Sequence, residues 1–237
     1  MTLRDLMAPV LRGDLYYAAR PRRPAAATDP SGVVRDMHSD AEAAAWAVRR
    51  AVPLSWIPEG ATVLDVGCGD GKLKLARPDL RVYGYEPDDD DWKEAERRGV
   101  GRAYVATERS EAVMDVMFCM DVVEHMTDPH GNLRSWLPRV RPGGLVIVEC
   151  PDFWCPMAQL YGDRFRLLHD PDHVSLFTAE SLVRMLRDLG VMIEDVAFPF
   201  FGGPYDTAET WEQHEMRPEH VSPPSPGNMV AVRGRKR

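Results

Sequence analysis

The sequence has little that would place the protein in a membrane or an oxidising compartment. Its 237 residues include only four cysteines, which form no C-x-x-C pair and no recognisable disulfide ladder. No apolar run approaches the roughly 20 residues that a membrane span needs. Charges interrupt the N-terminal stretch MTLRDLMAPVLRGD too early for a secretory signal. We therefore expect a cytoplasmic protein without a membrane span.

Positive charge is also in deficit. The chain has 29 Lys and Arg against 37 Asp and Glu, a formal net charge of −8. This balance disfavours nucleic acid as a partner unless a basic patch lies on one face, for which Arg20, Arg22 and Arg23 are the N-terminal candidates. The composition, 44% hydrophobic and 28% charged, excludes a disordered chain and indicates an ordinary globular protein.

Short β-rich runs alternate with helical segments from residue 61 onward. The predicted strands are TVLDV, RVYGYE, RAYVA, DVMFCM and LVIVEC, followed near the end by VMIEDVAF and NMVAVRG. Such alternation predicts an α/β fold with parallel strands joined by right-handed crossovers. The proline-containing residues 1–38 are predicted to be a lid or a linker, and residues 39–237 a single folded domain.

Helix boundaries are marked by capping residues at several places. Ser39 has capping-box spacing to Glu42, so a helix should begin there and stop before Pro53. Asp128 is a predicted N-cap, followed by proline in the first turn. A later helix should begin at Thr178 and end at a glycine, and residues 88–91 supply four aspartates to cap another.

A glycine-rich segment follows the first strand of the predicted sheet. In VLDVGCGDG the strand runs into Gly67, Gly69 and Gly71, which allow a sharp turn and the close approach of a ligand. Asp65 precedes this loop, and Glu86 ends the next strand, where a carboxylate can accept hydrogen bonds from ribose hydroxyls. Dinucleotide folds place a third small residue where this chain has lysine.

These residues closely resemble the first motif of class I S-adenosylmethionine (SAM)-dependent methyltransferases, and RPGGLVIVECPD resembles a later strand motif of that family. The resemblance covers roughly residues 60–195. It implies a Rossmann-like fold with a mostly parallel seven-stranded sheet, helices on both faces and an antiparallel last strand. It also implies SAM as cofactor. Its methionyl part would face Asp65, Gly67, Cys68, Gly69 and Gly71, its ribose Glu86, and its adenine amine Glu108.

The segment DVMFCMDVVEHMTDP resembles the ubiquinone-biosynthesis type of O-methyltransferase. The resemblance implies that Cys119, Met120 and Asp121 lie beside the sulfonium of SAM, at the carboxyl edge where doubly wound sheets bind ligands. The alternative is that Cys119 and Met120 simply complete a buried strand.

A set of acidic and histidine residues follows the same strand. Asp121, Glu124 and His125 share one face if a helical turn begins there, and by the resemblance His173 matches the fourth ligand of metal-dependent members. Those members include small-RNA 3′-terminal ribose methyltransferases and some quinone O-methyltransferases. The set could hold a divalent cation such as Mg²⁺ that lowers the pKa of an acceptor hydroxyl. Without metal, Asp121 would cap a turn, and His173, His125 or His169 would act as general base.

The predicted function is methyl transfer from SAM to a small-molecule acceptor, at a hydroxyl oxygen. Two alternatives remain open: a metal-dependent RNA 3′-terminal ribose methyltransferase, and a SAM-binding partner protein without catalytic activity. The oligomeric state is also open. The candidates for an apolar acceptor pocket are Phe153, Trp154, Tyr161, Phe165, Tyr16 and Tyr17.

Overall fold

A seven-stranded sheet organises the protein. The computed structural model describes residues 2–21, 40–104, 113–216 and 227–237, with the side chains of 40–43 and 213–216 outside that description. In chain order the strands are β1 (Ala18–Ala19), β2 (Thr62–Val66), β3 (Arg81–Tyr85), β4 (Gly101–Arg102), β5 (Met114–Met120), β6 (Val140–Pro151), β7 (Ser175–Leu176), β8 (Val191–Ala197) and β9 (Met229–Lys236). The large sheet has the order β4-β3-β2-β5-β6-β9-β8.

The pairing directions match the predicted topology. Strands β2 to β6 pair in parallel, whereas β9 runs antiparallel to both β6 and β8. The predicted Rossmann-like α/β fold with an antiparallel last strand is therefore confirmed. Because the parallel strands end at one edge of the sheet, the loops after β2, β3, β5 and β6 meet there.

Helices lie around this sheet, and three of those in the described residues begin at predicted caps. The predicted cap Ser39 lies outside the described residues. They are α1 (Leu3–Leu11), α2 (Asp40–Ser55), α3 (Lys72–Ala76), α4 (Asp89–Arg97), α5 (Pro129–Trp136), α6 (Pro156–Tyr161), α7 (Ala179–Asp188) and α8 (Ala208–Met216). The side chains of Asp88, Asp128 and Thr178 each accept a backbone N–H from the first turn of α4, α5 and α7. Gly190 has a φ of 84° just after α7, as a glycine C-cap requires.

Helix α2 is longer than the sequence predicts. It was expected to stop before Pro53, but it continues through this residue to Ser55, so that expectation is wrong. Proline in the last turn removes only one hydrogen bond of the helix, and the chain then tightens into a turn. In that turn the backbone N–H groups of Trp56 and Ile57 donate to the carbonyls of Pro53 and Leu54 at 3.3 and 3.2 Å.

The hydrophobic core lies on both faces of the sheet because successive side chains of a strand alternate between them. Leu64 and Met117 belong to a cluster that also includes buried residues of α5 and α7. Val63 and Phe118 belong to a second cluster, which buries residues of α3 and α4. A third cluster joins α1 to α6 and to the loops that follow α6. The functional loops therefore extend from a rigid sheet.

The N-terminal segment packs on the domain. Helix α1 and strand β1 were not predicted from the sequence, and β1 pairs antiparallel with β7, Ala18 opposite Leu176. Leu3, Met7 and Val10 of α1 are buried in the third cluster. Within the described ranges, no helix combines the length and apolar character needed to cross a membrane.

Candidate active site

The glycine loop begins where β2 ends and turns sharply over the end of β3. The N–H groups of Gly67 and Cys68 donate to the carbonyl of Tyr85 at 2.8 and 3.1 Å. Gly67 has a φ of 73°, and a Cβ there would collide with the side chain of Val122. Gly69 has a φ of 49°, and a Cβ there would meet no atom within 4 Å. The loop is therefore packed at Gly67 and open at Gly69.

Glu86 lies against this loop, as the sequence predicts for an acid at the tip of β3. One carboxylate oxygen accepts the N–H of Gly69 at 2.9 Å, and the other accepts the N–H of Asp88 at 2.9 Å. The structure thus brings the glycine loop and the second-strand acid into direct contact. Gly71 completes the loop close to α4, where a Cβ would lie 3.1 Å from the Cα of Ala95.

Two of the predicted cofactor residues direct their side chains into the core. Cys68 packs over Gly84 and belongs to the cluster behind α3 and α4. Cys119 is fully buried in the cluster behind α5 and α7. Met120, at the end of β5, is half-buried. The side chain of Cys119 therefore fits the alternative in which this residue completes a buried strand. Only its backbone lies at the edge of the sheet.

Asp65 is a buried carboxyl group beneath the glycine loop. Its exposed fraction is 5%. Burial raises its pKa to about 7, the charge of Arg50 opposes this, and Glu86 adds to it. A carboxyl with such a pKa lies near the midpoint of its titration at neutral pH, so a cationic ligand beside it would favour its ionised form.

Arg49 connects helix α2 to the ends of two strands. Its guanidinium donates to the carboxylates of Asp121, just after β5, and of Glu149 in β6. Burial lowers the pKa of Arg49, but these two carboxylates outweigh burial and raise it. Asp121 has a φ of 57°, a conformation uncommon outside glycine and concentrated at functional sites.

A second group of side chains lies beside this ion-pair network. One ligand atom from each of Glu124, His125 and His173 lies within 4.8 Å of the others. The rings of His125 and His173 are 4.9 Å apart. Both carboxylate oxygens of Glu124 are buried, and neither has a hydrogen-bond partner among the residues that the structure describes. The predicted set of four is thus reduced to three, because Asp121 is engaged by Arg49.

The tautomers of the two histidines follow from their backbone partners. Nδ1 of His173 lies 2.8 Å from the carbonyl of Leu167, and Nδ1 of His125 lies 3.1 Å from that of Asp172. Because a carbonyl only accepts, each Nδ1 carries the hydrogen and each Nε2 presents a lone pair. Burial lowers the pKa of His173, which favours its neutral form.

Glu124 is the carboxyl group that most needs a counter-charge. Burial raises its pKa well above its usual range, and the neighbouring Asp121 raises it further. Burial also raises the pKa of Glu149, to about 7, although Arg49 opposes this. One guanidinium thus pairs with Asp121 and Glu149, and its charge only partly offsets the burial of Glu124, which forms no ion pair within the described residues. A cation between Glu124 and the two imidazoles would supply the missing partner.

Sequence reasoning missed Arg49, Arg50 and Glu149. A signal existed for Glu149, since a charge inside LVIVEC is out of place in a buried strand unless it is paired. The two arginines gave no comparable signal, because the helical face they occupy depends on how α2 packs. Glu108, the predicted adenine contact, lies outside the described residues.

Three of the six aromatic candidates for an acceptor pocket belong to the core. Phe153 and Phe165 are fully buried and pack edge to face, and Tyr161 is 3% exposed. Phe153 also packs edge to face on His173, with ring centroids 5.8 Å apart. Tyr16 and Tyr17 are half-buried on the N-terminal segment. Tyr16 stacks on the ring of His130, and Tyr17 packs on Phe177.

Residues 37–196 match a family model described as a methyltransferase domain. The chain is 39% identical over 139 residues to a ubiquinone biosynthesis O-methyltransferase of Rhizobium etli, covering 54% of this chain and 50% of that protein. It is 30% identical over 172 residues to the protein of that name from Aeromonas salmonicida, covering 62% and 71%. The chain thus spans about half the length of the Rhizobium relative.

The fold is shared with solved structures of low sequence identity. A SAM-dependent methyltransferase of Thermotoga maritima, described as a possible histamine N-methyltransferase, superposes with a TM-score of 0.58 at 20% identity, covering 81% of this chain and 89% of that one. The similarity to this structure therefore extends over most of the fold, well beyond the glycine loop and Glu86. Since the matching region spans most of the sheet, the chain belongs to the methyltransferase domain family.

Proposed function

We propose that the chain is a SAM-dependent methyltransferase that methylates a hydroxyl oxygen of a small-molecule acceptor. The observation that carries the proposal is the meeting of two groups at one sheet edge. The glycine loop with Glu86 lies after β2 and β3, and the Glu124–His125–His173 cluster begins after β5. Cys119, near the end of β5, feels charges from both groups. Burial has the largest effect on the pKa of its thiol, and the charges of Glu124, Asp65 and Asp121 raise this pKa further.

The residues of the first group fit SAM. The open side of Gly69 leaves room for a ligand, and Glu86 offers carboxylate oxygens to ribose hydroxyls. Asp65 lies where a cationic amino group would gain from its ionised form, and Arg50 provides a cation for the carboxylate of the methionyl part. When bound, SAM supplies an electrophilic methyl group on a positively charged sulfur.

The residues of the second group fit a divalent cation. The two imidazoles and the buried carboxylate of Glu124 form a ligand set. Both Nδ1 atoms are oriented by backbone carbonyls, which leaves Nε2 of each ring for a cation. Imidazole ligands favour a first-row transition-metal ion over Mg²⁺, which prefers oxygen. When bound, the cation would lower the pKa of an acceptor hydroxyl.

The protein's own chemical task is to orient the acceptor and to receive its proton. Without a bound cation, His173 is suited to the second role because its neutral form presents Nε2 and its Nδ1–H is fixed by Leu167. His125 is the second candidate. Orientation of the acceptor against the methyl group provides much of the acceleration in such a displacement.

The acceptor class rests on the named relatives and on charge. Relatives called ubiquinone biosynthesis O-methyltransferases support a small hydroxylated acceptor over an RNA terminus, and the net charge of −8 opposes phosphate binding. A non-catalytic SAM-binding role would leave the buried, unpartnered Glu124 without a purpose. Four free cysteines support the cytoplasm as its compartment.

The same proposal assigns the parts of the chain. Residues 39–237 form the methyltransferase domain, and residues 1–38 form a lid or linker segment whose described part, residues 2–21, packs on the domain. In support, β1 pairs with β7, and α1 buries three side chains against the third core cluster.

Methyl transfer tests the proposal directly. The protein is incubated with isotopically methyl-labelled SAM and either catechol or a short RNA, and products are identified by mass spectrometry. We expect labelled methyl on the catechol oxygen and none on RNA, loss of activity with a chelator, and recovery with Mn²⁺. His173→Asn should reduce kcat by roughly 100-fold or more because it removes a proton acceptor or ligand.

His169→Asn is the matched control for this experiment. His169 lies in the same loop but outside the cluster, and its Nε2 contacts the carbonyl of Asp163 at 2.8 Å. Its replacement should leave kcat unchanged. Transfer to RNA alone would overturn the acceptor class, and turnover that ignores the chelator would overturn the cation.

A further inference from the structure

Arg20 contacts the loop that carries His173 through both its backbone and its side chain. Its N–H donates to the carbonyl of Val174 at 2.9 Å, next to the β1–β7 pairing. Its guanidinium donates to three more carbonyls of the same loop: Nε to His173, Nη1 to Leu168 and Nη2 to Asp170. One residue of the N-terminal segment therefore holds four backbone carbonyls of one loop.

These four carbonyls lie close in sequence to the two residues, Leu167 and His173, whose hydrogen bond orients the His173 ring. The ring Nδ1–H donates to the carbonyl of Leu167, next in sequence to Leu168. Arg20 binds the carbonyl of Leu168, next to the acceptor residue Leu167. It also binds the backbone carbonyl of His173, the donor residue. The loop here consists of short turns, Gly162–Arg164 and Arg166–His169, so no long ladder fixes its shape.

The geometry of the side chain matters as well as its charge. A guanidinium presents five N–H donors in a rigid plane, which suits three carbonyls that converge from different directions. A lysine ammonium is a compact donor group on a flexible stem and cannot reproduce this fork. Replacement of Arg20 would leave backbone carbonyls of the loop without these protein donors.

We infer that Arg20 is a positioning residue that holds His173 against Glu124 and His125. The inference rests on the proposed function for the role of His173, and it adds a residue outside the matched family region, 37–196. It makes the N-terminal segment part of the site. The ring of Tyr17, three residues earlier, packs on Phe177 at 5.4 Å and supports the same loop from its other end.

The test compares Arg20→Lys and Arg20→Met with wild type. Arg12→Ala is the matched control, because Arg12 lies in the same segment and its side chain forms an exposed ion pair with Asp14. Three quantities are measured on the full chain: Co²⁺ affinity from the visible spectrum, SAM affinity by calorimetry, and hydrogen–deuterium exchange of residues 165–174 in the metal-free protein.

Both Arg20 variants should weaken Co²⁺ binding by roughly 10- to 100-fold, as loss of an orienting partner does at metal sites. They should accelerate exchange of residues 165–174 and leave SAM affinity unchanged. Arg12→Ala should change none of the three quantities. The split between Co²⁺ and SAM affinity separates positioning from general destabilisation, and Arg20→Lys retains the charge if Arg20→Met folds poorly.

Two failures are distinguishable. If wild type binds no Co²⁺, the proposed cation is wrong, and the exchange measurement alone decides the role of Arg20. If Arg20→Lys exchanges like wild type over residues 165–174, or retains a measurable wild-type Co²⁺ affinity, Arg20 does not position His173 and the inference is overturned.

Discussion

Asp65 is the residue at which function opposes stability. Its folded-state pKa is raised by burial to about 7 from an ordinary value of 3.8. Well below pH 3.8 the carboxyl is protonated in both folded and unfolded states and costs nothing. As the pH rises towards 7 only the unfolded state ionises readily, so the free energy of unfolding falls. The protein retains a carboxyl there at the expense of stability, as expected for a ligand-binding residue.

We predict that Asp65→Asn stabilises the SAM-free protein at pH 8, by about 1–3 kcal/mol, and has little effect near pH 3. SAM affinity should fall in the same variant. Urea unfolding at the two pH values checks the first part and calorimetry the second. A destabilised Asp65→Asn at pH 8 would contradict the assigned burial cost.

Asp79→Asn provides a control of opposite sign. The side-chain hydrogen bond from Arg77, followed by the N–H of Gly60, lowers the pKa of this exposed carboxyl. Its contribution is present above the ordinary pKa and lost as the pH falls through the lowered one. Asp79→Asn should therefore reduce stability at pH 8 and matter less at low pH.

At the scale of elements, one ion-pair network couples helix α2 to the sheet. Arg49 is 6% exposed, and its partners Asp121 and Glu149 belong to the ends of two different strands. The helix therefore cannot leave the sheet edge without separating buried charges. This coupling keeps α2 over the site, with Arg50 near Asp65.

We predict that Arg49→Met lowers the free energy of unfolding by about 3–5 kcal/mol, because two carboxylates lose their shared cation. Adding Glu149→Gln should recover part of the loss, and a double-mutant cycle by urea unfolding measures the coupling. The exposed pair of Arg12 and Asp14 is the reference, and Arg12→Ala should cost less than about 1 kcal/mol. Equal costs for Arg49→Met and Arg12→Ala would refute the role of the network.

At the scale of the whole molecule, a ligand that binds the folded state raises its melting temperature. We predict that SAM or its demethylated product, at about 100 times Kd, adds about 2.7 kcal/mol. For a chain of this length, that corresponds to an increase in Tm of about 5–10 °C. Differential scanning fluorimetry checks the shift.

The specificity of that shift tests the cofactor site. Glu86→Ala should reduce it because the ribose ligand is lost, whereas Glu59→Ala, at an exposed acid on a loop, should not. A nicotinamide dinucleotide that raises Tm as much as SAM would contradict the glycine-loop assignment.

The sequence by itself determined the sheet, the starts of α4, α5 and α7 and the first half of the site. Strand periodicity and caps such as Asp128 and Thr178 are local, and the meeting of Gly69 with Glu86 follows from the order of parallel strands. Glu124 and His125 are also adjacent in the sequence and lie in one short turn, so this part of the cluster is local.

Only the tertiary structure decided how this site is completed. It placed His173 beside Glu124, assigned Asp121 to Arg49, turned Cys119 into the core, and brought Arg20 onto a loop about 150 residues away. These pairings join residues far apart in the chain through helix packing and loop contacts. Local propensity cannot encode them, because their energy arises only when the burial of charge and the supply of its partner occur together.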